Sequence, residues 1–427
     1  WIARDVPVLK TESFTSTIRN HVAKIEFQLS QFRFPDSPVK DILGNWNTLA
    51  TELMKDEDFG AALLKNNNWL EDELKPETQG TADPLEKAKK IYAYVRDRYT
   101  STGNRNIALS APLRTISKNK NGYVADLNLL LTAMMKQQGI DAYPVILSTR
   151  EHGYTHEFYP LIDRFNYVVC AVNIGNQFYY LDASSPVLGF NHLPDECYNG
   201  HARMITPDLA KAVYFNPDSL IEKKLSSVIV RSDSSGKWKG RSTTVAGYYE
   251  SVGLRDKIKE KGEESFFKSI QTAYSGEIVI TEKKIEHLKE LEVPVKVAFD
   301  FETTMDDDMI YFNPMMWEGY KDNYFKAAER TYPVEMPYLF DETYIFNMDI
   351  PADYTVEEIP KSAKVKFGEA DGFFEYLIDN SGTAVRLRSR LKLNRATFAP
   401  EEYNDLREFF SYVVKKHAEP IVLKKKK

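Results

Sequence analysis

The sequence predicts an α+β protein, with a core of helices packed on an antiparallel sheet followed by a β-rich, sandwich-like C-terminal domain. Three observations carry that prediction. A Leu-rich run, Leu127 to Leu131, follows Asn121-Gly122-Tyr123 and closes at Gly139, the pattern of a buried helix that leaves a turn and ends on a glycine cap. Two strand-like runs, Phe165 to Ile174 and Gln177 to Ala183, are separated only by Gly175-Asn176, a hairpin signal of the primed-turn kind. After a polar stretch around Asn216 to Lys224, strand-like runs recur as far as Leu393.

The bulk numbers bound the rest. A chain of 427 residues has room for two or three domains with full cores, and 43% hydrophobic with 28% charged residues is a globular composition. A net charge of -6 and a pI near 5.8 give no reason to expect nucleic acid as a partner. No apolar run reaches the length of a transmembrane segment. The chain opens at Trp1 without a signal peptide, so it reads as a fragment whose upstream part is missing. Cys170 and Cys197 read as two unrelated thiols rather than a bridge, and their spacing with the seven histidines matches no zinc pattern. No metal and no cofactor are expected, and Lys424 to Lys427 read as a frayed, solvated tail.

Taken in order, residues 1–35 alternate apolar and polar positions, as from Val22 to Leu29, and read as the end of a preceding β-rich domain or a linker strand. Residues 36–220 form the helix-and-sheet domain. Between Pro38 and Leu64 the spacing turns helical, with Ile42, Trp46, Leu49, Leu53 and Met54 on one face. Asp83 as N-cap, Pro84 at the first position and Glu86 completing a capping box start the next helix, whose stripe runs Leu85, Ala88, Ile91, Tyr92, Val95 and Tyr99. Residues 104–120 read as irregular, then a helix spans 123–138 and a strand 141–148. Symmetry about the Gly175-Asn176 turn pairs Ile174 with Gln177, Cys170 with Leu181 and Val169 with Asp182. Tyr167 and Asp182 are then diagonal neighbours on one face, and Cys170 points to the other. Residues 221–427 form the β-rich domain, with strand runs beginning near Ser227, Ser242, Glu277, Val293, Tyr344, Ala363, Phe373 and Ala384. One helix from Val252 to Ala273 interrupts them, and a final helix presents Leu406, Phe409, Phe410, Val413 and Val414.

A residue at the N-terminus of a buried helix feels the positive end of the macrodipole, so a cysteine there would be an activated thiolate. Set against a hairpin offering two more side chains, that position suits a Cys-His-Asp machine. Here the residue is Val124. Through Gly122, Asp126, Leu130, Leu131, Gly139, Ile140, Ala142, Pro144 and Val145, and through Tyr179-Tyr180-Leu181-Asp182-Ala183, the chain resembles the transglutaminase-like superfamily, of papain-like fold. The flanking strands resemble the β-rich domains of unknown function beside such modules in bacterial cell-envelope proteins.

The resemblance implies that Val124 stands at the nucleophile position, Tyr167 at the histidine position and Asp182 at the aspartate. Valine carries no nucleophile, and a tyrosine of ordinary pKa near 10 is a poor base. The expected function is therefore a non-catalytic module, binding or scaffolding within a periplasmic or cell-surface protein, with a protein, peptide or glycan as ligand. The alternative is a cysteine- or serine-type amide hydrolase or acyl-transferase with a relocated nucleophile. Against it, Cys170 faces away, Cys197 lies beyond the hairpin, and Ser184 and Ser185 have no histidine placed to activate them. Tyr123, Arg150 and Tyr167 are candidates to line a residual cleft, beside a solvated loop holding His152 and His156.

Overall fold

The computed structural model describes residue 4 and residues 8–42, 44–232, 238–274, 278–304 and 307–427. Two compact units emerge, one centred on residues 16–217 and one on 218–427, which also takes in residues 12–15.

The first unit is built around the helix Val124–Gln137, in which every residue from Val124 to Met135 is buried. A helix wrapped on all sides shows a weak amphipathic pattern, which is why its leucines cluster rather than recur at a clean period. Helices Gly60–Leu64, Trp69–Thr78, Pro84–Arg98 and Leu113–Asn119 pack on it, as do strands Asp141–Leu147 and Tyr167–Ile174. It ends at Gly139, whose φ of 73° turns the chain so that the Ile140 amide reaches back to the Met135 carbonyl at 3.0 Å.

The sheet of this unit is antiparallel, in the order Gln177–Leu181, Tyr167–Ile174, Asp141–Leu147, Gly200–Ile205, Ala210–Phe215. Gly175 and Asn176 take φ of 60° and 64°, the left-handed pair of a primed turn, and Ile174 faces Gln177 and Cys170 faces Leu181 as turn symmetry requires. The sheet's two faces feed different clusters. Val168, Cys170, Val172 and Leu181 join the leucines of the central helix, whereas Tyr167, Val169 and Ala171 join Val145, Leu147 and Val124.

Several expectations need correction. Val22 to Leu29 forms no regular strand; Ile25, Phe27 and Leu29 are 57%, 82% and 47% exposed, so the alternation has no buried face to serve. The helical reading of 38–64 resolves into a short pairing of Gln31–Phe32 with Lys40–Asp41, then helices Trp46–Lys55 and Gly60–Leu64. Asn45 sets the start, its side chain accepting from the amides of Asn47 and Thr48, so Ile42 precedes the helix. Asp83 does cap by accepting from the Glu86 amide at 2.9 Å, but the Glu86 carboxylate turns to Lys89 at 2.7 Å instead of closing a box. Within 104–120 lies a helix, Leu113–Asn119, closed by Lys120 in the left-handed region at φ 55°.

The second unit is an eight-stranded sheet in the order Val279–Glu286, Lys296–Thr303, Trp238–Val245, Ile221–Ser232, Leu339–Asp349, Ala384–Leu393, Gly372–Asn380, Ala363–Phe367. Its pairings are antiparallel except that between Ile221–Ser232 and Leu339–Asp349. Along Ala384–Leu393 the residues Val385, Leu387, Ser389, Leu391 and Leu393 are buried and those between them are not, so one sheet face carries the core. That face packs on the terminal helix Tyr403–His417 and on a three-stranded sheet of Met309–Phe312, Ile421–Lys425 and Tyr354–Glu358, with Phe312 and Phe346 rings 5.6 Å apart. The segment expected as one helix over 252–273 is two, Tyr248–Lys261 and Glu263–Ala273, broken at Gly262 with φ 80°. The run expected from Glu277 begins outside the described residues and is strand from Val279.

The lysine tail is a further correction. Lys424 and Lys425 belong to the middle strand of the small sheet, and the Lys426 amide donates to the Asp353 carbonyl at 2.7 Å. Residues 12–15 are held by Arg330, whose guanidinium donates to the carbonyls of Ser13 at 2.6 Å and Phe14 at 3.0 Å. No described helix is long and apolar enough to cross a membrane.

His417, at the end of the terminal helix, is 4% exposed, with Nε2 3.1 Å from Ser389 Oγ and Nδ1 accepting from the Tyr320 amide at 3.2 Å. Burial pushes its pKa down from 6.5 to about 3. Below pH 6.5 the unfolded chain takes up a proton that the folded chain refuses, so this stability is present above that pH and is lost as pH falls toward 3. The melting midpoint should therefore fall on acidification from about pH 7 to about pH 4.5, and fall less in His417→Gln. Equal falls in the two proteins would contradict the assignment.

A closed candidate active site

The turn that enters the central helix is organised by Asp126. Its Oδ2 accepts from the Tyr123 amide at 2.7 Å and the Ser110 hydroxyl at 2.5 Å, and its Oδ1 accepts from the Ser110 amide at 2.7 Å. An acid at the third helical position thus caps the helix start and anchors the preceding loop. The glycine is needed for room: a Cβ on Gly122 would stand 2.7 Å from Asp126 Cβ and Oδ2. Val124 follows as the first helical residue, 4% exposed, its amide already donating to the Asn104 carbonyl at 3.0 Å.

The hairpin delivers the other two positions. Tyr167 Oη donates to Asp182 Oδ2 at 2.7 Å, realising the diagonal contact expected from the register. Asp182 Oδ1 accepts from Asn128 Nδ2 and from the Ser184 amide, each at 2.9 Å. Asn128 also donates to the Val168 carbonyl and accepts from the Ala183 amide, each at 2.9 Å. One amide side chain on the central helix therefore bonds to both strands of the hairpin region. Asp182 and Asn128 are fully buried, so these bonds form where an unmade one is costly. Burial first, and then the charge of Asp182, holds the Tyr167 phenol well above its ordinary pKa. Tyr167 accordingly stays protonated and acts as a donor to the carboxylate rather than a base.

The space beside these residues is filled. Val124 and Tyr167 share an apolar cluster with Val145, Leu147, Leu193 and Cys197. Loops tie across it: the Arg150 amide donates to the Glu196 carbonyl at 2.9 Å, and Arg105 Nη2 reaches Glu196 Oε2 at 2.6 Å. Asn199 Nδ2 is shared among the carbonyls of Ser148, Thr149 and Gly153 at 3.2, 3.3 and 2.9 Å. Of the residues expected to line a residual cleft, Tyr167 is 2% exposed, and Tyr123 and Arg150 are half-buried.

The two free thiols occupy different surroundings. Cys170 lies on the opposite sheet face, and burial pushes its thiol up to about 12. Cys197 is brought into the Val124 cluster by the turn Asp195–Cys197, a placement that strand pairing could not reveal. Burial, then the charges of Asp182 and Glu196, raises its thiol well above the ordinary value. Ser184 Oγ stands 3.4 Å from Tyr167 Oη. His156 Nδ1 accepts from the amides of Phe158 and Tyr159, and His152 Nε2 lies 3.3 Å from the Asp163 carbonyl. Among the described residues, no group of three or more His, Cys, Asp or Glu side chains is placed to hold a metal ion. Sequence reasoning missed Asn128, which sat unremarked in the Leu-rich run, and the Arg105–Glu196 tie.

A helix start facing a hairpin, with three side chains at the junction, defines a papain-like class of site. The profile of the transglutaminase-like superfamily matches residues 72–183, a span that contains Val124, Tyr167 and Asp182. The chain thus carries a transglutaminase-like domain, and residues 308–423 match DUF3858, a domain of unknown function. In fold the chain is similar to a crystal structure of a candidate protease from Parabacteroides distasonis ATCC 8503, with a TM-score of 0.54 and 10% sequence identity. The match covers 94% of this chain but 64% of that one, so the chain spans under two thirds of its structural neighbour. No curated protein sequence matches it.

Replacing Asn128 by alanine leaves the Ala183 amide, the Val168 carbonyl and one Asp182 oxygen each short of a partner. At about 1–3 kcal/mol for a buried unsatisfied group, with partial relaxation, Asn128→Ala should cost ~2–4 kcal/mol in chemical denaturation. A loss below ~1 kcal/mol would mean that the network does not hold the hairpin to the helix.

Proposed function

We propose that the transglutaminase-like domain is catalytically inert and serves in binding or scaffolding, with functional units over residues 36–220 and 221–427. The observation that carries this reading is the identity and burial of two positions. Val124 offers no nucleophile, and Tyr167 is committed to donating a hydrogen bond to Asp182. The family's chemistry needs a thiolate, a proton shuttle and access for an amide, and the cluster around Val124 supports none of the three. The same proposal has the parent chain work in the periplasm or at the cell surface of a bacterium, a reading supported by the resemblance of its sequence to envelope proteins.

Cys197 is the one feature that favours the alternative, because it shares the cluster with Val124 and feels the charge of Asp182. That charge works against it, since a neighbouring carboxylate destabilises a thiolate. Pure protein should release no ammonia from glutamine-amide substrates and cleave no peptide library at neutral pH. Turnover that persisted through purification and vanished in Cys197→Ala would overturn the inert reading and establish a relocated nucleophile.

A further inference from the structure

The second unit contains a cavity of about 570 Å³ formed by strand Ile221–Ser232, the start of helix Tyr248–Lys261, residues 317–324 and the entry to strand Leu339–Asp349. Its lining holds five acids, Glu222, Glu250, Glu318, Asp322 and Glu342, against two lysines, Lys224 and Lys321, a formal excess of three negative charges. The lysines do not balance it. Lys321 Nζ donates to the Ala273 carbonyl at 2.5 Å, and Lys224 is shared between Glu250 and Glu318, each at 3.1 Å, with Thr244 Oγ1 also donating to Glu318 at 3.5 Å. Glu222 is tied to the helix start, accepting from the amides of Tyr249 at 3.0 Å and Glu250 at 3.2 Å, and Glu342 accepts from the Tyr320 hydroxyl at 2.8 Å. Burial raises the carboxyls of Glu222 and Glu342, so these two hold their protons to higher pH than exposed glutamates, and the excess of acids over lysines in the lining is a formal one.

The other walls are aromatic. Tyr249 and Tyr338 stack at 5.8 Å with ring planes 6° apart, Phe340 sits 5.5 Å from Tyr338, and Tyr320 and Tyr324 meet edge-on at 5.7 Å. Ring faces beside unbalanced carboxylates attract a cation by two routes, Coulombic and quadrupolar. A metal ion is disfavoured, because among the described residues no acids converge closely enough to form a ligand set. An organic cation needs no such convergence, only walls of the right sign and shape.

We propose that this cavity binds an organic cation: a primary ammonium carried on a flexible chain, as on a basic peptide side chain. The site is independent of the closed one in the other unit and does not depend on its being inert. Titration of the full chain with Nα-acetyl-lysine amide, followed by Trp317 fluorescence and calorimetry, tests it. Saturable binding is expected, at least about tenfold tighter than for the doubly acetylated, neutral analogue, and weakened by added salt. Glu318→Gln and Tyr338→Leu, each checked for a native melt, should each weaken it at least about fivefold. Absence of saturable binding up to about 10 mM, equal binding of the neutral analogue, unchanged binding in both folded variants, or binding of an N-acetylglucosamine disaccharide in place of the amine would overturn the proposal.

Discussion

The carboxylate of Asp182 is where the first unit is joined. It is fully buried, and its partners come from three separate places in the chain: the phenol of Tyr167 on the first hairpin strand, the amide of Asn128 on the central helix, and the backbone just beyond the second strand. A buried carboxylate must be satisfied or the fold bears the cost, so these bonds constrain helix and hairpin together. With histidine in place of Tyr167 the same carboxylate would orient an imidazole toward the helix start. With tyrosine it receives one proton donor and stops there. On the proposed reading, a frame that would position a catalytic group serves here as a structural clasp.

The parts of this arrangement set by short-range rules were legible in the sequence. Gly175-Asn176 fixes the hairpin register, and the register alone puts Tyr167 beside Asp182 and turns Cys170 away. Gly139 and Asp83 mark helix ends through backbone chemistry that does not depend on the rest of the fold. What could not be read depended on long-range closure. Cys197 reaches the Val124 cluster through a segment with almost no regular structure, and the Arg105–Glu196 tie links residues 91 apart. Alternation misled from Val22 to Leu29 because a strand pattern states which face would be buried, not whether anything buries it. The lysines at the C-terminus misled in the opposite way: their charge suggested solvation, yet the strand they end has a neighbour on each side.

The two units apportion burial and access differently. In the first, the helix start at Val124 is packed among apolar side chains, with loops tied across it. In the second, a polar cavity stays open beside an imbalance of charge that packing has not removed.

The central claim is that position 124 is sealed, and thiol accessibility reads it directly. In a Cys170→Ala, Cys197→Ser background, Val124→Cys supplies a single thiol of nearly valine size at the helix start. Under native conditions it should react with a disulfide reagent only as fast as the protein opens, and reach the rate of a free thiol when unfolded. Native labelling at the free-thiol rate would show an open groove and contradict the account.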